Sequence, residues 1–135
     1  MIVVDTNIIA AYFRSDENDE LIQKMFIRDR EWHSPFLWIS EFRNVLLLFH
    51  RRGLISPESF PDILSEAREL IPFDRTHDVD EKRVLALAVR SGCTAYDCEF
   101  VALAEALDVP LLTWDKQLLK QFPGQAVTPE GFLKS

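Results

Sequence analysis

Glycine is scarce in this chain. Four glycines lie scattered at positions 53, 92, 124 and 131, so neither a dinucleotide-binding fingerprint nor a glycine-rich phosphate loop can be assembled. Cysteine is scarcer still. Cys93 and Cys98 are the only two, and their spacing is neither that of a zinc site nor that of a disulfide framework. No apolar run approaches the length needed to span a bilayer, and the opening residues lack a basic stretch followed by an apolar signal core. A cytoplasmic protein without a membrane partner is the expectation. Basic charge is also short: 15 Lys and Arg face 22 Asp and Glu, for a net charge of −7. That balance excludes a protein that coats nucleic acid non-specifically. It does not exclude an enzyme whose acids hold divalent cations, because the cations then supply the positive charge.

The remaining composition is that of a globular domain, with 47% hydrophobic and 27% charged residues. A length of 135 residues implies one domain over 1–135 with a single substantial core. The run Ile2-Val3-Val4 reads as a strand buried on both faces, as in a parallel sheet, and it stops on Asp5. Ile8, Ile9, Tyr12 and Phe13 then recur at helical spacing. An acidic link over 15–20 leads to a second amphipathic helix carrying Leu21, Ile22, Met25 and Phe26. Trp32-His33-Ser34 suggests a strand, and Ser34-Pro35 a helix cap followed by proline in the first turn. That third helix extends to about Arg52 and stops at Gly53.

Further along, Ser56-Pro57-Glu58 opens a helix whose regular part starts near Pro61, and residues 69–73 suggest a brief strand. Asp78 to Glu81 resembles a capping box ahead of a helix that ends at Ser91-Gly92. Thr94 with Asp97 fits a second capping box before an apolar helix. Residues 109–113 form the clearest second strand, followed by Asp115, and Ala126-Val127 suggests a last edge strand. Strands alternating with helices imply an α/β three-layer sandwich with a central, mostly parallel sheet of four to five strands.

Four acids stand out against this frame. Asp5 and Asp115 each follow a buried strand, where α/β sheets bind ligands, though each also suits a helix N-cap. Glu41 interrupts an apolar helical stripe, and positions 37, 38, 44 and 45 offer it no basic partner. A rim position or a distant salt bridge is the alternative there. Asp97 shares a stripe with Val101 and Ala104 at the start of a buried helix. If these ends converge, four carboxylates share one cleft and repel one another unless a hard cation such as Mg2+ or Mn2+ lies between them. Such a centre activates water against a phosphodiester.

The segments Val4-Asp5-Thr6-Asn7, Ile39-Ser40-Glu41, Tyr96-Asp97 with Val101 to Glu105, and Leu112-Thr113-Trp114-Asp115 resemble the PIN-domain family. The likeness is greatest to the VapC-type toxins of toxin–antitoxin pairs. It implies a PIN-like fold, Mg2+- or Mn2+-dependent endoribonuclease activity on an RNA substrate, a homodimer, and inhibition by a cognate antitoxin. It also implies that Asp5, Glu41, Asp97 and Asp115 are the catalytic, metal-binding acids, and that Thr6, Asn7 and Thr113 support them. Cys98 and Glu99 depart from the family pattern without removing a ligand. A catalytically silent PIN-like module that binds RNA or protein is the competing expectation.

Arg14, Arg43, Lys116 and Lys120 are candidate phosphate contacts beside the cleft. His33, His50 and His77 lie far apart in sequence and form no metal-spaced pair, so structural roles are expected for them.

Overall fold

The computed structural model describes residues 1–14 and 19–135. Five parallel strands form one sheet: β1 (Ile2–Val4), β2 (Trp32–Pro35), β3 (Thr76–His77), β4 (Leu111–Leu112) and β5 (Ala126–Val127), in the order β3-β2-β1-β4-β5. The central strand β1 is fully buried, which explains its unbroken apolar run. Val3 pairs with His33 on one side and Leu111 on the other. Strand order reverses direction across β1 and β4, and such a switch point opens a crevice at the carboxyl ends of the strands.

Eight α-helices fill the described connections: α1 (Thr6–Tyr12), α2 (Asp19–Arg28), α3 (Leu37–Arg51), α4 (Phe60–Leu70), α5 (Glu81–Ser91), α6 (Ala95–Leu107), α7 (Lys116–Gln121) and α8 (Pro129–Lys134). Helix α6 lies across β1, β2 and β4, with α5 packed on it, while α1 packs on α2 and α3, and α2 on α8. Sandwiched in this way, α6 buries residues around most of its girth, from Cys98 and Phe100 through Ala104. On α3 only one stripe is buried: Trp38, Phe42, Leu46 and Phe49. No described helix is long and apolar enough to cross a membrane.

Several local expectations need correction. Ser34 does not cap α3. Its hydroxyl donates to the Val4 carbonyl across the sheet at 3.0 Å, Pro35 remains in β2, and α3 starts after Phe36 without a side-chain cap. The sheet takes Ser34 because a buried hydroxyl needs a partner. Residues 69–73 are not a strand. They finish α4 and enter a short 3-10 turn, and β3 lies just beyond at Thr76–His77. The cap of α5 is Asp80, not Asp78: its carboxylate accepts from the Lys82 and Arg83 backbone N–H groups. Thr94 does cap α6, accepting from the Asp97 N–H at 3.0 Å. Gly92 closes α5 at φ +76°, a conformation that costs a residue with a Cβ about 1 kcal/mol or more. Of the acidic link, Asp19 and Glu20 open α2, where acids favour a helix start, and residues 15–18 lie outside the described residues.

An acidic cleft at the switch point

Asp5 ends β1 and caps α1. Its backbone N–H donates to the Leu112 carbonyl, so the end of β1 is tied to β4. One carboxylate oxygen accepts from the Thr6 N–H at 2.7 Å, and the other accepts from the Thr113 hydroxyl at 2.7 Å. Capping and site-forming roles therefore coexist in one side chain. Thr113, just past β4, also accepts from the Asp115 N–H at 2.9 Å and from the Asn7 amide at 3.5 Å. It is the polar hub joining the two strand ends. Asp115 in turn caps α7 through the Leu118 N–H at 2.9 Å. Glu41, one turn into α3, accepts from the Thr6 hydroxyl at 2.7 Å. That bond answers the missing basic partner: a neutral donor orients the carboxylate and leaves its charge uncompensated.

Asp5, Glu41, Asp97 and Asp115 line one open hollow of about 550 Å3, together with Thr6, Asn7 and Ser40. Acids from four separate segments thus line one cleft. Their electrostatics agree. Burial pushes the Asp5 carboxyl up to about 6, against the pull of its Thr113 and Thr6 hydrogen bonds, and Glu41 and Asp97 push it further. Glu41 is raised by burial and by Asp97, and Asp97 by burial and by Asp115. Asp5, Glu41 and Asp97 each feel another acid, and no cation side chain is among the residues lining the hollow.

The donor set suits a hard divalent cation in kind: carboxylate oxygens, hydroxyls and an amide. Asn7 Oδ1 reinforces this, being a buried acceptor without a hydrogen-bond partner. Among the described residues, no three His, Cys, Asp or Glu side chains stand in the close array of a loaded site. The fit is therefore one of donor chemistry and charge. Arg14, Arg43 and Lys116 are exposed and are not among the residues lining the hollow. Ser40 and Tyr96, present in the resembling segments but given no role there, also line it, and Asn44 does so with no sequence signal to mark it.

Two of the histidines, far apart in sequence, are neighbours in the fold. His33 on β2 and His77 on β3 meet at 2.7 Å between Nδ1 and Nε2, and His33 Nε2 lies 2.9 Å from a Glu31 oxygen. The register of two parallel strands joins residues 44 apart.

A five-stranded parallel sheet that gathers carboxylates at its switch point defines a class of α/β domains built around an acidic cleft. The PIN domain family model matches residues 2–124, and the chain belongs to that family. It is 36% identical to ribonuclease VapC3 of Pyrobaculum aerophilum over 130 residues, covering 95% of this chain and 98% of that protein. In structure it resembles PAE2754 from Pyrobaculum aerophilum, with a TM-score of 0.76 at 24% identity over 98% of this chain and 93% of the other. A toxin–antitoxin complex from Klebsiella pneumoniae aligns with a TM-score of 0.69 at 15% identity, over 96% of this chain and 98% of its own. Both likenesses are of fold.

Proposed function

We propose that this chain is a divalent-metal-dependent endoribonuclease and the toxin of a toxin–antitoxin pair. The observation that carries the reading is the meeting of Asp5, Glu41, Asp97 and Asp115 in one cleft without a basic side chain among them. Likeness to a ribonuclease over almost the whole chain supports RNA as the substrate. Asp5, Glu41, Asp97 and Asp115 would hold Mg2+ or Mn2+, whose bound charge offsets that of the phosphodiester and makes nearby water more acidic. Thr113 and Thr6 keep the Asp5 and Glu41 carboxylates aimed, and Asn7 Oδ1 offers a further acceptor. Asp97 or Asp115, each only partly buried, would orient the water that attacks phosphorus in line. The P–O3′ bond would break, the proton released by the attacking water would pass to the departing O3′, and a 5′-phosphate and a 3′-hydroxyl would be left. Arg14, Arg43 and Lys116 would steady flanking phosphates from outside the hollow.

The partners in this reading are RNA, a cognate antitoxin and a second copy of the chain. The outer face of α5, where Val89 stands 87% exposed, offers an apolar seam for a homodimer. The test is direct. Purified protein is incubated with single-stranded RNA in Mg2+, in Mn2+ and in EDTA. Cleavage with either cation and none in EDTA is expected. Equal cleavage in EDTA, or intact RNA under all three conditions, overturns the reading.

A further inference from the structure

A second hollow of about 450 Å3 lies beside the acidic cleft, lined by Phe36, His77, Asp78, Glu81 and Glu99 among others. Its walls are α5, with Glu81, Val84 and Leu85, the end of β3 and the residues after it, and Glu99 on α6. Phe36 precedes α3, whose Leu37 and Glu41 wall the cleft, and Glu99 follows Asp97 by two positions on α6. Burial and, after it, the Glu41 charge push the Glu99 carboxyl up, so this hollow adjoins the cleft. Its size lies within the range of roughly 300–1,000 Å3 in which proteins seat small ligands.

The lining decides what can enter. Three carboxylates, Asp78, Glu81 and Glu99, repel phosphate. Phe36 is 38% exposed, with its ring held edge-on by Phe73 at 6.0 Å between centroids. An exposed aromatic of this kind stacks an unpaired base. His77 completes the pattern. Where His33 Nε2–H donates to Glu31, its Nδ1 accepts from the His77 Nε2–H, and burial, which pushes the His77 imidazole down, leaves His77 Nδ1 its lone pair. The polar side chains that line the hollow are then acceptors by their chemistry: three carboxylates and an imidazole nitrogen. Uracil, with one N–H between two carbonyls, matches poorly. Guanine, whose N1–H and N2–H2 donors lie side by side, matches a carboxylate bidentately.

We propose that this hollow is a base-reading subsite that takes the nucleotide beside the cut phosphodiester and selects guanine over uracil. The proposal rests on the reading of the acidic cleft as the place where RNA is cut. Its test separates the two. Fluorescence anisotropy with the full-length Asp5→Asn protein, in Mg2+, measures binding of short single-stranded oligoribonucleotides that differ at one base. In parallel, the wild type cuts a random-sequence RNA and the product ends are sequenced.

Guanosine is expected to bind about tenfold more tightly than uridine, as a bidentate base contact implies. Inosine, which lacks the N2 amine, should lose most of that advantage with the protein unchanged. Glu99→Gln should reduce the discrimination to about threefold or less, and Phe36→Ala should weaken all four bases. Cut sites should show guanosine at one fixed position. Equal affinity for the four bases overturns the proposal, as does a preference that neither inosine nor Glu99→Gln alters. A Phe36→Ala protein that changes oligomeric state and not base discrimination also overturns it, since a second copy then covers the hollow. Cleavage without base preference refutes the subsite and leaves the nuclease standing. Guanosine-selective binding without any cleavage refutes the nuclease and leaves the subsite standing.

Discussion

Asp5→Asn is expected to lower RNA cleavage about a thousandfold or more and, at the same time, to make the metal-free protein more stable. The first effect follows from removing one carboxylate of the proposed cation site, where loss of roughly 4 kcal/mol of transition-state stabilisation gives such a factor. The second follows from burial. Asp5 is 7% exposed, and its carboxyl is pushed up to about 6 in the fold, against 3.8 as its ordinary value. The folded chain therefore holds the Asp5 proton more tightly than the unfolded chain. This contribution to stability is complete below pH 3.8, declines as pH rises toward about 6, and is gone above it. Above pH 7 the ionised side chain costs the fold about 3 kcal/mol relative to a protonated one. Asparagine removes the charge and keeps an acceptor for the Thr6 N–H, but it weakens a charge-assisted bond to Thr113. A net gain of about 1–2 kcal/mol, or roughly 3–8 °C in the thermal midpoint, is expected at pH 8 in EDTA. A variant that cleaves like the wild type sinks the assignment of Asp5. One that is less stable at pH 8 sinks the account of its burial.

Phe42→Ala carries the second large effect, on the fold that aims the site. Phe42 is fully buried on α3 next to Glu41, with ring contacts to Phe13 at 5.5 Å and Trp38 at 6.0 Å. Truncation leaves a cavity between α1 and α3 and should cost about 3–5 kcal/mol. The thermal midpoint should fall by roughly 10–20 °C. Both ends of the Thr6–Glu41 hydrogen bond lie on those two helices. Cleavage by the protein that remains folded should drop as well, because the carboxylate loses its fixed position. A midpoint within a few degrees of the wild type would mean that α3 is held by something other than its apolar stripe.

These two residues also show what the chain discloses in one dimension. Asp5 is legible because a strand buried on both faces reads as continuous apolar residues, and a carboxylate ending it is conspicuous. Glu41 is legible because it breaks a helical stripe without a basic neighbour. The Thr6 hydroxyl that orients it comes from 35 positions away and leaves no local trace. Strand β3 hides because two residues are too few to show an alternation, and the apolar residues just before it belong to α4 and its exit. Ser34 misleads because its local pattern with Pro35 fits a cap, while the sheet offers its hydroxyl a buried carbonyl instead. The Glu31–His33–His77 chain could be found only from strand register, which sequence separation conceals.

In the proposed site, acids repel one another and a divalent cation would relieve that repulsion. The shift in thermal midpoint on adding Mn2+ at pH 8, for the wild type and for Asp5→Asn side by side, tests it most directly. The wild type is expected to start lower in EDTA and to rise with Mn2+ by several degrees, as ligand linkage requires. The variant should start higher and stay almost unmoved, and the gap in EDTA should narrow as the pH is lowered from 7 toward 4. A wild type indifferent to Mn2+, or two proteins raised by it equally, would contradict the account.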